Sequence, residues 1–180
     1  VSGTAAAGAP IIGFVAARDA SGKVVSAPIE ADGRYELDVS ELSAPYLIYA
    51  NGISGGRAYS LLSVAFQSDI GGTVNVTPLT DLIVGHTVGQ TPTQFFNAPD
   101  FTLLEPHAIA EYTLMLKARL QALFVALGID ESFDLRTTPF IADRSGFDEV
   151  LDVLDITVSE GKATITNRFN PAETIENTFS

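Results

Sequence analysis

The chain has no cysteine, no tryptophan, one methionine and two histidines in 180 residues. Without a thiol there is no disulfide, no thiolate metal site, no covalently attached haem and no cysteine nucleophile. The two histidines, His86 and His107, belong to neither an H-x-x-x-H pair nor an H-E-x-x-H motif, so a histidine metal centre is not expected. Positive charge is scarce: 10 basic against 22 acidic residues leave a formal charge of −12. Such a surface repels phosphate backbones and anionic lipid headgroups, which argues against nucleic acid and membrane partners. No apolar run approaches the roughly 20 residues that cross a bilayer, and the longest helical segment is interrupted by Glu111, Lys117, Arg119 and Gln121. Walker loops and dinucleotide fingerprints are also missing.

Apolar residues are plentiful, 46% of the total, enough for one domain or two packed subdomains. The first ten residues, VSGTAAAGAP, are small and uncharged and read as a flexible or strand-donating arm. From Ile11 to Thr77, short apolar runs alternate with turn dipeptides such as Ser21-Gly22 and Asp32-Gly33. Tyr35, Leu37 and Val39 alternate with Glu36, Asp38 and Ser40 as in a half-buried strand. Six or seven such strands predict an antiparallel β-sandwich over residues 11–77. At Thr77-Pro78 the period changes to that of a helix, and Thr91-Pro92 repeats the cap-then-proline start. A long helix comes next, with a stripe of Ile109, Tyr112, Leu116, Leu120, Leu123 and Leu127 ended by Gly128. SGFDEVLDVL predicts a shorter helix, completing a helical subdomain over 78–155. Residues 156–180 predict a hairpin and tail packed on the sandwich, with Ile156 and Val158 facing Ala163, Ile165 and Phe169 across a turn at Glu160-Gly161. The fold class is therefore α+β, and no internal repeat is found.

Reactive groups have structural readings beside their functional ones. His86, near the end of its helix, suits the negative end of the helix dipole as a partly charged imidazole, and His107 suits a polar first turn. Gly52 to Gly56, GISGG, matches the G-x-S-x-G nucleophile elbow with Ser54 at its centre, but a strand rather than a helix is predicted after it. Asp130, Asp134, Asp143 and Asp148, with Glu149 and Asp152 nearby, offer oxygen ligands of the kind calcium takes; none lies in a D-x-D-x-D-G order, and capping explains them as well. No other cofactor is indicated. Tyr46, Tyr49 and Tyr59, with Tyr35, would form a sugar-stacking face if they lay on one side, and core or cross-strand pairs if they did not. The sequon at Asn75 is followed by Pro78 and falls within a predicted strand.

The succession Gly8-Ala9-Pro10, Asp19 to Gly22 and Asp32 to Tyr35 resembles the carboxypeptidase-regulatory-like, or transthyretin-like, β-sandwich domains of exported bacterial proteins. The later segments, NVTPLTDLIV and FDLRTTPFIADRSGFDEVLDVLDITV, look like the helical and C-terminal portion that accompanies this sandwich in secreted proteins and lipoproteins of unassigned function. The resemblance implies a fold rather than an activity, and an extracellular or cell-surface location. A start at Val1 without a methionine agrees with removal of an export segment.

The leading expectation is a non-catalytic structural or assembly protein, a filament or matrix subunit joined to copies of itself by β-strand addition. Val1, Ser2, Gly3, Thr4, Ala5, Ala6, Ala7 and Gly8 would be the donated strand, and the end ETIENTFS a second one. The alternative is an adhesion module binding glycans, calcium or another surface protein. A serine hydrolase using Ser54 is third.

Overall fold

The computed structural model describes residues 1–159 and 162–178. The chain is α+β, with the described strands in three antiparallel sheets. The largest has the order β3-β2-β5-β6, built from β2 (Ile12–Arg18), β3 (Val24–Pro28), β5 (Tyr46–Ser54) and β6 (Arg57–Ala65). The second pairs β1 (Ser2–Thr4) with β4 (Arg34–Glu36), and the third has the order β7 (Leu154–Ser159), β8 (Lys162–Asn167), β9 (Asn170–Thr178). Among the described residues, five α-helices come between β6 and β7 in chain order: α1 (Pro78–Val88), α2 (Pro92–Asn97), α3 (Pro106–Arg119), α4 (Gln121–Ala126) and α5 (Phe147–Val153).

The first residues are not an arm. β1 lies between β4 on one side and residues 73–76 on the other, the latter running parallel to it. Val74 N–H donates to Ser2 C=O at 2.7 Å and Val76 N–H to Thr4 C=O at 2.9 Å. Ala5 and Ala6 are completely buried. Small side chains are what this position requires: a Cβ on Gly3 would lie 1.9 Å from the Val74 carbonyl oxygen. The backbone hydrogen bonds that an arm would offer a neighbour are made within the chain.

One core fills the space between this small sheet and the inner face of the four-stranded one, with Ile11, Val15, Tyr35, Leu37, Ile48, Val74 and Val76 among its members. The alternation of Tyr35, Leu37 and Val39 is as expected, although regular pairing stops at Glu36. A second core joins Leu47, Leu62 and Val64, on the opposite face of that sheet, to Leu82 and Ile83 of α1, Ile109 and Leu116 of α3, and Ile165 of β8. The helices thus pack on the large sheet rather than standing apart.

Thr77 caps α1 as the sequence predicts, its side chain accepting from Thr80 N–H while Thr80 returns a bond to Thr77 N–H. The long helix divides at Leu120, whose φ of −91° and ψ of 2° separate α3 from α4. Ile156 faces Ile165 as expected, but Phe169 is exposed in the turn before β9. The turn expected at Glu160-Gly161 lies outside the described residues, as do the last two residues of ETIENTFS. The rest of that end forms β9 and pairs with β8 of its own chain.

Candidate functional site

The two edges of the large sheet differ. At β6 the outward backbone groups of Leu62 are taken by α1: Asp81 Oδ1 accepts from Leu62 N–H at 2.7 Å, and Thr80 Oγ1 donates to Leu62 C=O at 3.0 Å. Further along, Arg136 donates to Val64 C=O at 3.1 Å, and Asp69 accepts from Phe66 N–H at 2.8 Å. Arg136 and Asp69 then form a largely buried ion pair at 2.6 Å. Side chains imitate the missing strand, so this edge is closed to another chain.

β3 is the other edge. Its five residues carry no charge, with Lys23 before and Glu30 two positions after. The outer sheet face beside it is apolar and uncovered where the helices end: Val24 is 58% exposed, Ile12 61%, Phe14 45% and Ile53 56%. Register places these with Arg18, Ser26, Pro28 and Asn51 on one surface, and no carboxylate is among them. Phe14 meets Tyr49 edge-on, and Tyr49 stacks on Phe96 of α2 at 4.3 Å, so the patch runs up to the helical layer.

The residues singled out by sequence are not gathered in one place. Tyr46 is buried and Tyr59 shares its inward face, whereas Tyr49 points outward, with its hydroxyl engaged by Asn51 and Ser60. They form no common stacking platform. Ser54 ends β5; its hydroxyl donates to Ala9 C=O at 2.8 Å, and Gly55-Gly56, both with positive φ, turn the chain directly into β6. GISGG is therefore a hairpin turn, without the helix that a nucleophile elbow needs.

Of the calcium candidates, Asp130 holds the backbone and hydroxyl of Ser132, Asp134 those of Thr137, and Asp143 those of Ser145. The Ser132 hydroxyl, first among its contacts, keeps the Asp130 carboxyl below its usual range. Asp148 is fully buried, accepts from Arg144 N–H, and is pushed up to about 6 by burial. No group of three or more acidic or histidine side chains is arranged around a metal position among the described residues. Asn75 is an internal tie, not a surface sequon: its Oδ1 accepts from Thr4 N–H and its Nδ2 donates to Thr138 C=O.

His107 is exposed in the first turn of α3. His86, in the last turn of α1, stacks on Tyr112 at 3.8 Å. Its Nδ1 and the Tyr112 hydroxyl are buried without hydrogen-bond partners among the described residues. Burial, and then the charge of Arg119, hold the imidazole below its usual pKa, which works against the partly charged terminal residue expected. Burial pushes the Tyr112 phenol up to about 12.

Sequence reasoning passes over Asp81. It sits in the first turn of α1 and, with Leu61, Pro78, Leu151 and Ile156, lines a cavity of about 110 Å³. Arg57 and Arg168 line the same cavity, with Asp155 between them at 3.6 and 4.0 Å. Burial drives the Asp81 carboxyl up to about 8 against the opposing effect of the Leu62 N–H bond. An Asp four residues beyond the cap is the one available signal, and it reads equally well as dipole stabilisation. Compared with known proteins, the chain matches no family model, no curated protein and no solved structure.

Proposed function

We propose that the chain is a non-catalytic assembly module, a transthyretin-like β-sandwich with an attached helical layer that works at the cell surface or outside the cell by joining copies of itself. The observation that carries this reading is the asymmetry of the large sheet: β6 is capped by α1 and by Arg136, whereas β3 is open beside an exposed apolar face. Open strand edges and apolar patches are liabilities that soluble monomers ordinarily blunt with charge. A second copy is the favoured occupant because two chains of charge −12 repel one another least across a surface without carboxylates, and this face, which carries Arg18, has none. The joining strand is β3, not residues 1–8, which complete their own sheet.

The choice of partner strand decides the form of the assembly. Pairing of β3 with β3 of another copy is isologous and closes as a dimer, while pairing of β3 with β9 is heterologous and propagates as a filament. Light scattering coupled to size exclusion, with negative-stain imaging, distinguishes them. The expected result is an oligomer at micromolar concentration that Phe14→Glu with Ile53→Lys reduces to a folded monomer. Monomer from the unaltered chain up to about millimolar concentration would overturn the reading.

A further inference from the structure

The cavity above Asp81 has the chemistry of a small-ligand site, independent of the β3 edge. Asp81 lines the cavity with only one carboxyl oxygen engaged: Oδ1 accepts from Leu62 N–H, and Oδ2, which carries the proton while the carboxyl is neutral, has no hydrogen-bond partner among the described residues. Its walls are Leu61, Leu151 and Ile156. Its mouth holds the guanidinium groups of Arg57 and Arg168, which share a single oxygen of Asp155 at 3.6 and 4.0 Å. Those separations exceed the roughly 2.7–2.9 Å of a charge-assisted hydrogen bond. Both forks therefore keep donors for a second carboxylate, and two guanidiniums against one carboxylate leave the mouth positive in an otherwise acidic chain.

From this arrangement we infer that the cavity binds a short aliphatic carboxylate carrying a second hydrogen-bonding group at its far end, the carboxylate at Arg57 and Arg168, the methylenes against Leu61, Leu151 and Ile156, and the far group at Asp81 Oδ2. The size agrees. An apolar cavity of about 150 Å³ takes benzene, so 110 Å³ with an open mouth takes about half a dozen non-hydrogen atoms. The pairing also gives the spare Asp81 oxygen a hydrogen-bond partner.

The Leu62 amide, bonded directly to Asp81, is a built-in reporter. The test is a titration of the isotope-labelled full chain followed by amide resonances, with 4-hydroxybutyrate, 4-aminobutyrate, butyrate and butylamine as probes. The hydroxy or the amino acid should move the Leu62 resonance saturably in the millimolar range, and which of the two does so tells whether Asp81 keeps its proton and gives it to a hydroxyl oxygen or releases it and pairs with an ammonium. Butyrate and butylamine, each lacking one end, should bind at least about tenfold more weakly. Arg168→Gln, at an exposed turn position, should weaken the acid probe by a similar factor while leaving the spectrum of the unliganded fold intact. No saturable shift up to about 50 mM, equal binding of butyrate, or unchanged binding by Arg168→Gln would each overturn the inference.

Discussion

Three polar groups in or beside the core set the behaviour of single residues. Tyr112 keeps its hydroxyl in the interior without a partner among the described residues. Removing an unsatisfied group while retaining its ring is neutral or favourable, so Tyr112→Phe is expected to leave stability unchanged or raise it by up to about 1 kcal/mol, read from urea denaturation. Asp81 has a folded-state value near 8 against 3.8 for the ordinary carboxyl. The folded chain thus holds a proton there that the unfolded chain has lost, and this residue favours folding most at low pH and progressively less as pH rises to about 8. Asp81→Asn retains the acceptor for Leu62 N–H and has no proton to lose. The stability difference between Asp81→Asn and the parent should move in the variant's favour by roughly 2–4 kcal/mol between pH 5 and pH 8. His86 acts in the opposite sense, because its lowered value removes stability as pH falls below 6.5.

At the scale of elements, the β6 edge depends on Arg136, which reaches Val64 C=O, Asp69 and the face of Phe66 from a loop some seventy residues away in sequence. Arg136→Met leaves the Asp69 carboxylate buried without its cation. A loss of roughly 3 kcal/mol is expected, measurable as a lower denaturation midpoint with an unchanged slope. Local chemistry makes several elements readable from the sequence. Thr77, Pro78 and Thr80 supply a complete helix start within four residues, and Tyr35, Leu37 and Val39 alternate because one side of them is a core. Residues 1–8 mislead because small side chains usually signal slack chain, whereas Gly3, Ala5 and Ala6 are small in order to let backbone approach backbone. The break at Leu120 interrupts an otherwise continuous apolar stripe, and no glycine or proline announces it. Asp81 and Arg136 are invisible for a different reason. Their partners are backbone groups of a distant strand, and such pairing has no period.

The whole molecule carries −12, and its proposed contact surface is the part without carboxylates. Repulsion between copies acts over a Debye length of about 30 Å at 0.01 M salt and about 8 Å at 0.15 M. Self-association through β3 should therefore strengthen as salt rises across that range, the reverse of an interface held by ion pairs, and sedimentation velocity at several ionic strengths checks this. The layered packing also has a consequence for truncation. Ala5 and Ala6 are core residues of two different clusters, so deletion of residues 1–10 is expected to unfold both layers, seen as loss of near-ultraviolet circular dichroism, rather than to yield a soluble monomer.

Asn75 holds Thr4 through its carbonyl oxygen and Thr138 through its amide nitrogen. Hydrolysis of that amide would set an anionic oxygen against a carbonyl where a donor had been. The chemical ageing of one side chain would then part the beginning of the chain from its latter third, and the solvent-excluded packing of the residue is its shelter from that reaction.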